Sequence, residues 1–293
     1  ETKTLYFQFN FVERKWNGGS FQQFQKKLFA FIDSTDVGKF VIDIRYNSGG
    51  DGSILDAFLH EIIKRDKINQ KGKLFVLVGR KTFSAAVMLL GSLKRHTNAY
   101  FVGEPAGAPL NHCGEAQTYN LPNSGFELEL STLYYQIGGP ADSSRYFPID
   151  FPFQFSSREY FIGADSALEF IIHNNPITLC DVLRQGGNDA ATLYEQRVGL
   201  KSRYPWYTPF LEEEMNRTGY DLLEEAKTKD AIEAFVLNTK AYPASWNTWD
   251  SLAEAYMDAG SDSLALQNYQ KALELNPGDE SAKENVRKIK HLK

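Results

Sequence analysis

The chain has 293 residues, with 42% hydrophobic, 24% charged and 14% aromatic side chains, and a formal net charge of −5 from 32 basic and 37 acidic groups. That length suits about two domains, and that balance excludes a wholly disordered chain. No apolar run approaches the ~18 residues of a membrane-spanning helix, and mild acidity without basic runs argues against nucleic acid as a partner.

The chain opens on Glu1 rather than Met, the start expected of a processed or trimmed chain from which any export signal would already be gone. Leu5, Phe7, Phe9 and Phe11 alternate with Tyr6, Gln8 and Asn10, the period of a strand with one buried face. Phe40–Ile44 reads as a buried strand that ends in the turn Asn47-Ser48-Gly49-Gly50-Asp51-Gly52. From Ser53, taken as N-cap, Ile54, Leu55, Phe58, Leu59, Ile62 and Ile63 share one helical face up to about Lys64. Leu74–Val78 and Tyr100–Val102 read as further strands, with the apolar helix Ala85–Leu93 between them. This alternation is the crossover pattern of a parallel α/β sheet. Phe126–Leu130 and Thr132–Gln136 read as a later β-pair. Asn174-Asn175-Pro176 and Gly186-Gly187-Asn188 mark a hinge or connector. The organisation expected is an α/β domain over 1–175 and a helical domain over 188–293.

In the second region Gly219, Leu222, Ala231, Phe235 and Pro243 lie 34 residues before Ala253, Tyr256, Ala265, Tyr269 and Pro277. The second copy adds Trp249, Leu252 and Ala272, completing the tetratricopeptide pattern with Ala for its usual Gly. Small residues let two antiparallel helices approach, large ones fill the gap, and Pro stops the second helix. The first copy is weaker, with Met215 and Thr218 where Trp and Leu would stand. Ser281–Leu292 reads as a closing helix with Ala282, Val286 and Ile289 inward. Two repeats bury little by themselves and are expected to lean on flanking helices or on the first domain. The repeats offer a face for an extended peptide or a partner helix.

Three elements could carry chemistry. Gly49 and Gly50 end a buried strand, where backbone amides can converge on an oxyanion. Ser84, in Thr82-Phe83-Ser84-Ala85-Ala86, opens an apolar helix, which suits either an activated hydroxyl or a plain N-cap. Asn111-His112-Cys113 follows Val102-Gly103-Glu104-Pro105-Ala106-Gly107, and His112, read as a loop residue, could act as a base. The neighbouring His112 and Cys113 have no second ligand pair at metal-binding spacing, so neither a metal nor a cofactor is implied. Cys113 and Cys180 are too few for a disulfide scaffold.

The order of these elements, with Leu121-Pro122-Asn123-Ser124-Gly125, Phe147-Pro148-Ile149-Asp150-Phe151 and Gly163-Ala164-Asp165, resembles the C-terminal processing, or tail-specific, serine proteases over about Lys3–Ile172. The resemblance implies a crotonase-like α/β core and a serine peptidase acting on polypeptides through an acyl-enzyme. It places Ser84 as nucleophile and the amides of Gly49 or Gly50 and of Ala85 as the oxyanion hole. It also implies an exported, periplasmic or cell-envelope, setting. Two positions depart from the family: its base lysine falls at Pro109, and the glutamate often found three residues after the serine is Val87. His112 is then the base that remains, with Lys81 as another candidate near Ser84. The competing reading is a catalytically inactive core that binds peptides or partners.

Overall fold

A computed structural model describes residues 3–187 and 189–291, which fall into two compact units, Glu1–Pro176 and Ile177–Lys293. The chain is mixed α/β, with a parallel sheet in the first unit and helices throughout the second.

In chain order the first unit runs β1 (Thr4–Gln8), β2 (Lys15–Trp16), β3 (Gly19–Ser20), α1 (Phe21–Ser34), β4 (Lys39–Asp43), α2 (Leu55–Ile63), β5 (Leu74–Val78), α3 (Ala85–His96), β6 (Tyr100–Gly103), β7 (Asn111–Asn120), β8 (Glu127–Gln136), β9 (Phe151–Pro152), α4 (Ser157–Ile162) and α5 (Ser166–His173). Five strands pair in parallel in the order β1-β4-β5-β6-β9. Central strands of such a sheet are covered on both faces and read as unbroken apolar runs, and Leu74-Phe75-Val76-Leu77-Val78 is buried throughout. Val41, Phe75, Leu77, Tyr100 and Val102 pack with Ala167 and Ile171 of α5. Elsewhere Phe7 and Phe9 meet Phe21 and Phe24 of α1 and Phe58 of α2 in one aromatic cluster.

Three local expectations change. Phe11 is 60% exposed, and the neighbouring Val12 is buried in its place, pairing with Gly50. Ser53 does not cap α2: Asp51 accepts from the Ser53 N–H, and Gly52–Ile54 form a 3₁₀ turn before α2 begins at Leu55. The later β-pair is a single strand, β8, and its antiparallel partner is β7. His112 therefore stands on a strand rather than in a loop.

The second unit holds α6 (Leu179–Arg184), α7 (Ala190–Gly199), α8 (Glu212–Glu224), α9 (Thr228–Ala241), α10 (Trp246–Asp258), α11 (Asp262–Leu275) and α12 (Glu280–His291). The stretch read as a connector thus carries α6, while Asn188 lies outside the described residues. Leu179 and Leu183 of α6 and Tyr194 of α7 share one core with Met215, Leu222, Phe235 and Leu252. A second cluster joins Ala253, Ala265, Tyr269, Ala282 and Ile289 across α10, α11 and α12. Trp249 is only partly buried, its ring N–H donating to Pro243 O, whereas Met215 at the equivalent place in the first copy is fully buried.

Close helix approach rests on Gly219. A Cβ there would stand 2.4 Å from the Phe235 ring. Gly219→Ala gains helix propensity of about 1 kcal/mol but overpacks a closed contact. Because the obstacle is a buried aromatic ring, the net outcome is a loss of about 1–3 kcal/mol, measurable by denaturant unfolding.

Asp250 gives the unit a pH dependence. Burial, then the charges of Glu254 and Asp279, push its carboxyl up to about 7. A raised carboxyl pKa favours the folded state while the group is protonated. That contribution is full below about pH 4 and is lost as pH rises through about 7. Asp250→Asn should raise the calorimetric melting temperature at pH 8 more than at pH 4.

Candidate functional site

The candidate site forms where β4 and β5 leave the sheet. Asp43, 1% exposed at the end of β4, accepts from the Tyr6 hydroxyl at 2.6 Å and from the Arg45 guanidinium at 2.6 Å and 3.1 Å. Arg45 also donates to Asp165 at 2.6 Å, and Asp165 in turn caps α5 by accepting from Leu168 N–H at 3.0 Å. Burial, then the hydrogen bond to Asp43, raise the Tyr6 phenol above its ordinary range. Burial works against the charge of Arg45, yet the two carboxylates hold its pKa above the usual guanidinium value. This network fixes the path of the chain into the glycine turn.

Asn47 governs that turn. It is fully buried, its Nδ2 donates to Phe9 O at 2.7 Å, and its Oδ1 accepts from Gly49 N–H at 2.9 Å. Its carbonyl accepts from Phe83 N–H at 2.9 Å, which ties the turn to the segment carrying Ser84. Gly49 and Gly50 have φ of 106° and 132°, a region that disfavours any side chain. A Cβ on Gly49 would stand 2.7 Å from Ser84 Cβ and 3.0 Å from Ala85 N, so the turn lies against the serine itself. On the other strand exit Thr82, fully buried, donates through Oγ1 to Ile44 O at 2.7 Å, and its carbonyl accepts from Gly107 N–H at 2.9 Å.

Ser84 has φ 52° and ψ −124°, a strained backbone for an L-residue, immediately before α3. It is not a side-chain cap: its Oγ makes no hydrogen bond to the helix amides. Among the described residues the amides of Gly50 and Ala85 are unengaged, while that of Gly49 is held by Asn47. His112 is 5% exposed. Its Nδ1 lies 3.0 Å from Leu110 O, so Nδ1 carries the proton and Nε2 presents a lone pair. The imidazole lies 6.0 Å from the Phe83 ring and 5.6 Å from that of Tyr135. No hydrogen bond joins it to Ser84. Within the first unit, among the described residues, the buried side-chain atoms without a partner are His112 Nε2 and Asn10 Oδ1.

The remaining candidates are placed as follows. Lys81 is exposed, its ammonium over the Tyr46 ring at 5.7 Å. Val87 is fully buried in the packed face of α3. Leu121–Gly125 forms the tip of the β7–β8 ribbon, about 30 Å of strand away from His112 at its base. Among the described residues no group of three His, Cys, Asp or Glu is placed to hold a metal ion, and no helix is long and apolar enough to cross a membrane. Sequence reasoning missed Asn47, Thr82, Arg45 and Asp165 as the supports of the turn. The signal was present for Asn47, which opens the turn with Ser48 alone between it and the glycine pair.

No protein-family model matches this chain. Superkiller complex protein 3 of Homo sapiens is 36% identical over 61 residues, which are 21% of this chain and 4% of that protein. The chain therefore spans only a small part of that relative's length. Among solved structures, a protein of Parabacteroides merdae assigned as a peptidase aligns with a TM-score of 0.43 at 14% identity, over 57% of this chain and 59% of that one. A protein of Bacteroides fragilis assigned as an S41 protease aligns at 0.38 and 16% identity, over 70% of this chain and 55% of that one. MamA aligns at 0.28 and 20% identity, over 40% of this chain and 66% of its own.

The supports of the turn are open to a direct measurement. Asn47→Ala leaves Phe9 O and Gly49 N–H buried and unpaired, each at about 1–3 kcal/mol. The first unit should lose several kcal/mol in chemical denaturation, whereas Ser84→Ala should leave its stability unchanged or raise it.

Proposed function

We propose that the first unit is the crotonase-like core of a serine peptidase of the tail-specific type, acting on polypeptides through an acyl-enzyme at Ser84. The observation that carries this reading is the Ser84 backbone. A strained, positive-φ serine at a helix N-terminus, unused as a cap and backed by Gly49, is a nucleophile mounting rather than a helix stop. The order of the motifs supports the family assignment.

In this reading Ser84 Oγ attacks the scissile carbonyl and its proton passes to His112 Nε2. The tautomer favours this role, since the Leu110 carbonyl holds the proton on Nδ1. The free amides of Gly50 and Ala85 receive the oxyanion, a single donor of this kind contributing about 10²–10³ in rate. The protonated imidazole then returns its proton to the leaving amine, and water, deprotonated by the same nitrogen, releases the acyl group. No hydrogen bond joins Oγ to Nε2, and the reading requires that substrate binding bring the two into hydrogen-bond reach. The helical repeats would hold a protein partner or part of the substrate. The same resemblance supports an exported, periplasmic or cell-envelope, setting.

The apolar residues at Val87 and Pro109 favour a second reading, a core that binds polypeptides without cleaving them. A fluorophosphonate probe separates the two. Labelling of the chain that is lost in Ser84→Ala supports the peptidase, and an unlabelled chain supports the binding module. In a labelled chain, His112→Ala should lower kcat by about 10²–10⁴-fold with the melting temperature checked in parallel. Retained kcat would remove His112 from the mechanism.

A further inference from the structure

The ribbon formed by β7 and β8 is amphipathic and unshielded. Both strands are ten residues long, and their register pairs Gln117 with Leu130 and Tyr119 with Leu128. Residues directly opposite one another share a face, and alternate residues along a strand share it too. One face therefore presents Tyr119, Leu128, Leu130 and Tyr134, with Leu121 and Phe126 at the tip, all between 42% and 72% exposed, and carries Gln117 and Thr132 among them. The other presents Thr118, Asn120, Glu127, Glu129, Ser131 and the apolar Leu133. A two-stranded ribbon is marginal alone in water, and a largely apolar exposed face marks an interaction surface.

We propose that this face docks against the same face of a second copy of the chain, the two ribbons stacking about a two-fold axis. Width selects the occupant. The ribbon is about 33 Å long and about 10 Å across, whereas an extended peptide is about 4.8 Å across and would leave half of the face in water. A second ribbon covers it completely. Charge is compatible in the outer ribbon, because Glu127 and Glu129 lie on the opposite face, and Glu115 at the base is engaged by the Tyr135 hydroxyl at 2.9 Å. Area agrees as well. Six large side chains, each about half exposed, offer on the order of 600 Å² per copy, and so about 1,200 Å² per pair, the lower edge of specific interfaces. The expected dimer is therefore reversible and concentration-dependent. It is independent of whether Ser84 is catalytic.

Sedimentation velocity of the whole chain, from about 1 to about 100 μM, tests this. Reductant is included because the exposed Cys113 stands on the ribbon. The mass should climb from one chain toward two, and Leu128→Glu with Leu130→Glu should hold it at one chain throughout. Circular dichroism and the melting temperature should stay close to the parent's, since both side chains are about half exposed. If that pair disturbs folding, Phe126→Ser at the tip is the second variant and should weaken association at least tenfold. Glu127→Gln with Glu129→Gln, on the opposite face, should leave association unchanged. A parent that stays at one chain mass at every concentration overturns the proposal, as does a dimer that survives both apolar-face variants. A monomeric parent that saturably binds unfolded casein, with binding lost in Leu128→Glu, would also overturn it and assign the face to extended polypeptide.

Discussion

The close approach of Gly49 to Ser84 is the constraint on which the first unit's site depends. With 2.7 Å between a Cβ at position 49 and Ser84 Cβ, the turn and the serine occupy one place only if residue 49 has no side chain. The contact is useful only if both backbones are held. Asn47 holds the turn through Phe9, Gly49 and Phe83 at once, and Thr82 ties the serine segment to the end of β4. Behind them the Asp43–Arg45–Asp165 network is more than a surface ion pair. Asp43 and Arg45 are largely out of solvent, so the removal of one partner would strand a charge.

The sheet was legible because its strands are covered on both faces. Leu74–Val78 is apolar at every position, and no other element of that length fits between turns. The repeats were legible for a different reason: helix–helix contact demands small residues at fixed spacing, and Gly219 against Phe235 shows the demand in distance. The β7–β8 ribbon was half legible. Phe126–Leu130 showed its strand alternation, but β7 reads Asn-His-Cys-Gly-Glu-Ala-Gln-Thr-Tyr-Asn, with almost no apolar period, because most of it is in solvent on both faces. Its strand character comes from the partner and leaves no pattern in its own residues. That also explains why His112 reads as a loop residue.

Site supports were the least legible part. Asn47 and Thr82 act through backbone carbonyls and amides, which have no signature in side-chain pattern, and Arg45 acts through two carboxylates, one of them, Asp165, 120 residues away. The second unit shows the same limit. Thr218, Asn238, Thr248 and Ser251 are buried polar residues: Thr218 Oγ1 and Thr248 Oγ1 donate locally to Glu214 O and Ser245 O at 2.9 Å, Ser251 Oγ accepts from the Tyr220 hydroxyl at 3.1 Å, and Asn238 Nδ2 donates to Glu212 O at 3.2 Å while its Oδ1 has no partner. Short hydroxyl side chains let helices approach where longer ones would not. The half-buried Trp249 follows from this packing: at the same repeat position Met215 meets α6 in the core, while the Trp249 ring turns to Pro243 O.

Two unfavourable features of the first unit meet at one place, and their coincidence is informative. Ser84 holds a backbone that costs about 1–3 kcal/mol, and a buried polar atom without a partner costs a similar amount. In the first unit, among the described residues, the partnerless atoms are His112 Nε2 and Asn10 Oδ1. The His112 ring meets the ring of Phe83, the residue before Ser84. Asn10 follows Phe9, whose carbonyl Asn47 binds, and lies two residues before Val12, which pairs with Gly50. Lys3 and Glu115 also hold positive φ in this unit, and Asn216, Asn238, Asp250 and Asp279 carry partnerless atoms in the second, so neither feature alone singles out a site. What sets Ser84 apart is adjacency: its strained backbone lies against the glycine turn on one side and follows Phe83, whose ring meets that of a histidine with an open nitrogen, on the other.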